Sequence, residues 1–79
     1  MMTKKDLFSL ISKALNVPVK KINEKSNSKD FEEWDSLGQL AIISSLDKKF
    51  KGKIILDEIA EADKVTKISA FLKKKKVLM

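Results

Sequence analysis

With neither cysteine nor histidine in the sequence, the side chains that could carry covalent chemistry are hydroxyls and carboxylates. The commonest general base, the commonest metal ligand and the thiol nucleophile are therefore missing together, and independent catalysis is not expected. A disulfide framework and a zinc–cysteine site fall on the same ground. Among the hydroxyls, Ser36 stands out by its setting. It lies in Phe31-Glu32-Glu33-Trp34-Asp35-Ser36-Leu37-Gly38, a polar stretch that runs into the longest apolar-periodic segment of the chain. An aspartate followed by a serine at the mouth of a helix is first of all a cap, because both side chains accept hydrogen bonds from backbone N–H groups that have no partner inside the helix. A further role for Ser36 has to come from the elements that hold it.

The chain has 79 residues, enough for one domain with a modest core, and we read residues 1–79 as a single unit. Hydrophobic residues make up 43% and charged residues 35%, which places the chain with globular proteins rather than with disordered or membrane ones. No apolar run reaches the length of a bilayer span, and Met1-Met2-Thr3-Lys4-Lys5-Asp6 has no secretory core, so a cytoplasmic protein without membrane insertion is expected. The net charge of +6 comes from 17 basic residues that are all lysine. Base-edge reading relies on the planar guanidinium and single-strand binding on stacked aromatics, and here there is no arginine, with four Phe and one Trp. The charge therefore reads as a lysine-rich surface, and nucleic acid is not the expected partner.

Thr3 three residues before Asp6 is a variant capping box, and Leu7, Phe8, Ile11, Ala14 and Leu15 recur at helical spacing, which predicts a helix over 4–15. Lys5, Ser9, Ser12 and Lys13 would face outward. Asn16 offers a left-handed exit and Pro18 disfavours helical geometry at Val17. A long loop follows from Val17 to Trp34, with Val17, Ile22 and Phe31 as the residues expected to pin it. The second helix begins at Asp35-Ser36. Its expected inward stripe is Leu37, Leu40, Ala41 or Ile43, Leu46 and Phe50, with Gln39, Ser44, Asp47 and Lys48 outside, and Gly52 should end it. Ile54-Ile55-Leu56 has no strand partner and reads as loop. Asp57 is then expected to cap a short turn, and Asp63 to cap a last helix carrying Val65, Ile68, Phe71 and Leu72. Lys73-Lys74-Lys75-Lys76 reads as a solvated helix end, with Val77-Leu78-Met79 frayed beyond it.

The predicted fold class is thus all-α, a small four-helix bundle of three longer helices and one short one, with a long loop between the first two. In this order of elements the chain resembles the acyl carrier proteins, through Leu15-Asn16-Val17, Trp34-Asp35-Ser36-Leu37, Leu46-Asp47-Lys48-Lys49-Phe50, the loop at Ile54 and the last helix. The resemblance implies that Ser36 receives 4′-phosphopantetheine from coenzyme A through a separate phosphopantetheinyl transferase. It also implies that Asp35 shapes this entrance or contacts the transferase, and that the arm's thiol holds an acyl or aminoacyl group as a thioester. The implied partners are a loading enzyme and a downstream acyltransferase or synthase, met by a monomeric carrier that is not itself an enzyme. A serine at the positive end of a helix suits a phosphodiester. The corresponding docking face would comprise Trp34, Leu37, Gly38, Gln39, Ala41, Ser44, Asp47 and Lys48. Acidic side chains typical of fatty-acid carriers are sparse on that face, which points to a specialised pathway. Two other readings stand beside this one, an unmodified protein-interaction module and a small basic helical nucleic-acid-binding domain.

Overall fold

The computed structural model describes residues 2–78. Four α-helices follow one another: α1 over Lys4–Leu15, α2 over Ser36–Lys49, α3 over Leu56–Ile59 and α4 over Val65–Lys74, with single 3-10 turns at Val19–Lys21 and Ser28–Asp30. Strands are absent among the described residues, where the extended backbone forms only isolated pairings of Met2 with Leu78 and Asn27 with Lys64. None of the described helices is long and apolar enough to cross a membrane.

The first helix starts and stops where its sequence dictates. The Asp6 N–H donates to Thr3 Oγ1 and the Thr3 N–H to the Asp6 carboxylate, each at 3.1 Å, so two otherwise unpartnered donors are satisfied reciprocally. At the other end Asn16 takes the left-handed conformation at φ 58°, and the Val17 N–H reaches back to the Ser12 carbonyl at 3.0 Å. Leu7, Ile11 and Leu15 are buried. Ser12, expected outside, is buried as well, because its hydroxyl donates to the Val17 carbonyl at 2.7 Å and helps close this helix end.

Helices α1 and α2 run antiparallel. Leu15 at the end of one lies against Gly38 at the start of the other, while Asp6 and Lys49 line one groove at the opposite end. Gly38 is what permits the close approach: a Cβ there would run into the Glu33 carbonyl oxygen and sit 2.8 Å from Leu15 Cδ2. The buried face of α2 is therefore Gly38, Ile42, Ile43 and Leu46. This corrects the expected stripe, since Leu37 and Leu40 are 76% and 59% exposed. The helix ends at Lys49, and Gly52 follows at φ +78° in the next turn.

The segment 17–34 is held by more than its predicted pins. Val17 and Ile22 are buried and Phe31 is half-buried, but the deepest apolar anchor is Trp34, at 3% exposure. Backbone bonds fasten the same segment to the start of α4: Ser28 N–H to Asp63 O and Val65 N–H to Ser26 O, both 2.9 Å. The second bond partners the first N–H of α4 from another part of the chain. No side chain caps α4, so the expected cap at Asp63 is not formed; Lys64 holds the N-cap position instead. Asp57 is likewise not a cap, because α3 begins one residue earlier with Ile55 at its N-cap.

The chain after α4 folds back. Lys76 is left-handed at φ 61°, the Val77 N–H donates to the Leu72 carbonyl at 3.0 Å, and Val77 and Leu78 are buried. Fraying at 77–78 is thus overturned, since two apolar side chains complete the core and Met2 N–H donates to Val77 O at 2.9 Å; Met79 lies outside the described residues. The lysine run is not uniformly solvated either. Lys75 pairs with Glu58 at 3.6 Å and lies 5.6 Å from the centre of the Phe71 ring.

Candidate functional site

Asp35 is the N-cap of α2 and its Oδ1 accepts from the Gly38 N–H at 2.9 Å. The Gln39 N–H donates to the Asp35 carbonyl at 2.8 Å, so the first intrahelical bond is formed at this residue too. Ser36 follows as the first helical residue and is exposed. Its backbone is fixed by the cap before it and by the helix after it. The result is a hydroxyl on a rigid base at the positive end of a 14-residue helix.

A cleft of about 740 Å³ opens beside this hydroxyl. One wall is α2, through Ser36, Gln39, Leu40 and Ile43, and the opposite wall is Ala60, Glu61, Asp63 and Lys67. Trp34 lies at its base. The width of the cleft is set by Gln39. Its Oε1 accepts from Trp34 Nε1 at 2.6 Å, while its Nε2 donates to the carbonyls of Ala60 and Ala62 at 3.3 and 2.9 Å. One side chain therefore ties the loop before α2 to the segment after α3.

The predicted site residues fall into two groups. Asp35, Ser36, Leu37, Ser44, Asp47 and Lys48 are exposed. Trp34 and Gly38 are buried and so do not present a docking face as expected, while Gln39 and Ala41 are half-buried and present part of their surface. Trp34 is held inside by its apolar ring and its bond to Gln39, and Gly38 by helix contact; the Ala41 carbonyl accepts from Ser45 Oγ at 2.8 Å. The apolar surface beside Ser36 is instead supplied by Leu37 and Leu40, two large side chains facing water within five residues. Such adjacent exposure is a mark of surfaces that meet partners or ligands.

The electrostatics of the site also differ from the expectation built on α2 alone. Residues 30–47 and 54–63 contain no lysine yet hold nine of the chain's 11 carboxylates. Asp35, Glu61 and Asp63 from these two stretches line the cleft. The acidic groups reach Ser36 from the loop before α2 and from the segment after α3, not along the exposed face of α2. The lysine-free stretches were visible in the sequence, but that they meet is a fact of the fold. Asp63 Oδ1 is buried without a hydrogen-bond partner and lies 3.5 Å from Lys67 Nζ. That lysine is the cleft's cation.

No protein-family model matches the chain, and no match was found among curated proteins or solved structures, so the site stands on its own geometry.

Proposed function

We propose that the protein is an acyl-carrier-type domain that carries a 4′-phosphopantetheine arm on Ser36 and offers a thioester-bound acyl or aminoacyl group to the enzymes of a biosynthetic pathway. The observation that carries this reading is the placement of Ser36: an exposed hydroxyl, first in its helix, beside a cleft to which Trp34, Leu40 and Ile43 contribute apolar surface and Asp35, Glu61, Asp63 and Lys67 charged groups. The residues present fit the group. A phosphodiester at Ser36 would sit at the N-terminal end of α2, where unpaired N–H groups and the helix dipole favour negative charge. Asp35 has already engaged the Gly38 N–H, so it stabilises the helix start without occupying the serine.

When bound, the arm supplies a thiol, which the chain itself lacks. The chain's own contribution is positioning. Asp35 fixes the backbone of the modified residue, Gln39 keeps α2 and the segment after α3 at a set distance, and Leu40 and Ile43 line the cleft with apolar surface. Leu37 and Leu40 are exposed beside a cleft lined by Asp35, Glu61 and Asp63, and form a surface on which a transferase or loading enzyme with basic groups around an apolar patch would dock.

The test is to incubate the protein with coenzyme A, magnesium and broad-specificity phosphopantetheinyl transferases and to record intact masses. The wild type should gain the mass of one phosphopantetheine and Ser36→Ala should gain none. No gain in a folded wild type with several transferases would overturn the proposal.

A further inference from the structure

Toward the end of α2 opposite Ser36, ten of the 17 lysines gather. The Met2–Val77 backbone bond sets the start of α1 beside the chain that follows α4, and Lys4 and Lys73 line one groove there. The end of α2 reaches the same region, because Lys48 and Lys49 share a groove with Asp6 of the first turn of α1. Lys51 and Lys53 follow directly in the turn after α2, and the Lys75–Glu58 pair brings the last turn of α4 against α3. Three helix ends therefore present ten lysines, counting Lys5 and the run 73–76.

Three of the carboxylates among them are engaged, while Asp47 and Asp57 are exposed beside Lys48 and Leu56. Asp6 bonds to Thr3, Glu24 pairs with Lys4, and Glu58 pairs with Lys75. A second feature lies in the same place. Immediately after Lys51-Gly52-Lys53, the consecutive side chains Ile55 and Leu56 are 49% and 51% exposed. They stand between the turn lysines and the α3–α4 contact.

We propose that this lysine-rich end is a docking surface for an anionic phospholipid bilayer, with Ile55 and Leu56 entering the headgroup boundary. Clustered lysines are attracted to anionic headgroups as point charges and need no planar recognition, which suits a surface without arginine. The adjoining apolar pair decides between polyanions. A bilayer gives Ile55 and Leu56 an apolar phase to enter, whereas a nucleic-acid backbone offers only phosphates and sugars to this face. The geometry also leaves the other end free. The 14 residues of α2 span about 21 Å at 1.5 Å per residue. Ser36 therefore lies at the far end of α2 from the lysines that follow it, so binding there leaves its hydroxyl accessible. This inference does not depend on modification of Ser36.

The experiment is co-sedimentation of the full chain with vesicles of phosphatidylcholine alone and of phosphatidylcholine mixed with phosphatidylglycerol, at low and high salt, beside a duplex DNA titration in the same buffers. Binding is expected with the mixed vesicles only, weakened by salt. Lys51→Glu/Lys53→Glu should reduce it about tenfold or more, because two attractive charges become repulsive. Ile55→Ser/Leu56→Ser should reduce it severalfold while leaving any DNA binding unchanged, with circular dichroism confirming that both variants are folded. The proposal is overturned by absent binding to the mixed vesicles, by folded variants that bind as well as the wild type, by tighter binding to DNA than to the mixed vesicles, or by sedimentation without vesicles, which would mark the lysine end as docking on the carboxylates of a second copy.

Discussion

At Asp35 a cap and a charge reside on the same carboxylate, and substitution can separate them. Asn keeps an acceptor for the Gly38 N–H and loses the charge, while Ala loses both. We expect Asp35→Ala to lower unfolding free energy by about 1 kcal/mol and Asp35→Asn to lower it by only a few tenths, read from denaturant midpoints. If the charge also serves the transferase, Asp35→Asn loads more slowly at unchanged stability, a difference that time-resolved mass spectra will read. Gln39 carries a different kind of burden. Gln39→Leu leaves Trp34 Nε1 and the Ala60 and Ala62 carbonyls without their partner, and we expect a loss of about 1–3 kcal/mol in urea or thermal unfolding. The Asp35-Ser36 pair was legible in the sequence because a cap and the donors it serves lie three residues apart. Gln39 was not, and read as an outer-face residue, because the carbonyls it serves lie 21 and 23 residues further along.

Among the elements, α1 was legible in its bounds and its apolar stripe, though not in the burial of Ser12. Its start and stop are both written locally, in Thr3 with Asp6 and in Asn16. For α4 the periodicity predicted the helix but not its N-terminus, because a backbone carbonyl at Ser26 partners its first N–H and carries no side-chain signature. The stripe of α2 was misread for a related reason. More than half its circumference is apolar, so composition alone does not say which part faces the core, and the contact with Leu15 at Gly38 sets the rotation.

Two predictions belong to this scale. Lys76 occupies a left-handed position at the end of α4 where glycine bears no steric penalty, so Lys76→Gly should stabilise the protein by about 1 kcal/mol, measured by thermal unfolding. The backbone N–H of Thr3, and then its hydroxyl, hold the Asp6 carboxyl below its ordinary range. A depressed folded-state pKa contributes stability that is present above the unfolded value and lost as pH falls through the folded one. Asp6→Asn should therefore be less stable than wild type near neutrality, with the gap closing as pH falls below the usual carboxylate range; a constant gap across a pH series of denaturant melts would contradict this.

Over the whole molecule the cleft beside Ser36 and the largest cluster of lysines lie at opposite ends of α2. Asp35, Glu61, Asp63 and Lys67 line the cleft beside the serine, Leu37 and Leu40 are exposed next to it, and ten of the 17 lysines gather at the other helix ends. Composition alone suggested a lysine-rich surface, and only the antiparallel packing of α1 and α2 brings the lysines at the start of one beside those at the end of the other. The all-helical class and the order of helices were legible from period and punctuation. The burial of residues 77–78 was not, because it depends on a backbone bond to Met2 across the length of the chain.

The central claim is covalent and concerns one hydroxyl, so its most direct measurement is a mass spectrum of the protein purified from its native cell, with fragmentation of the peptide that contains Ser36. The account predicts the mass of one phosphopantetheine, with or without a thioester-bound cargo, localised to Ser36. A Ser36 found unmodified both in the native protein and after transferase treatment would contradict it.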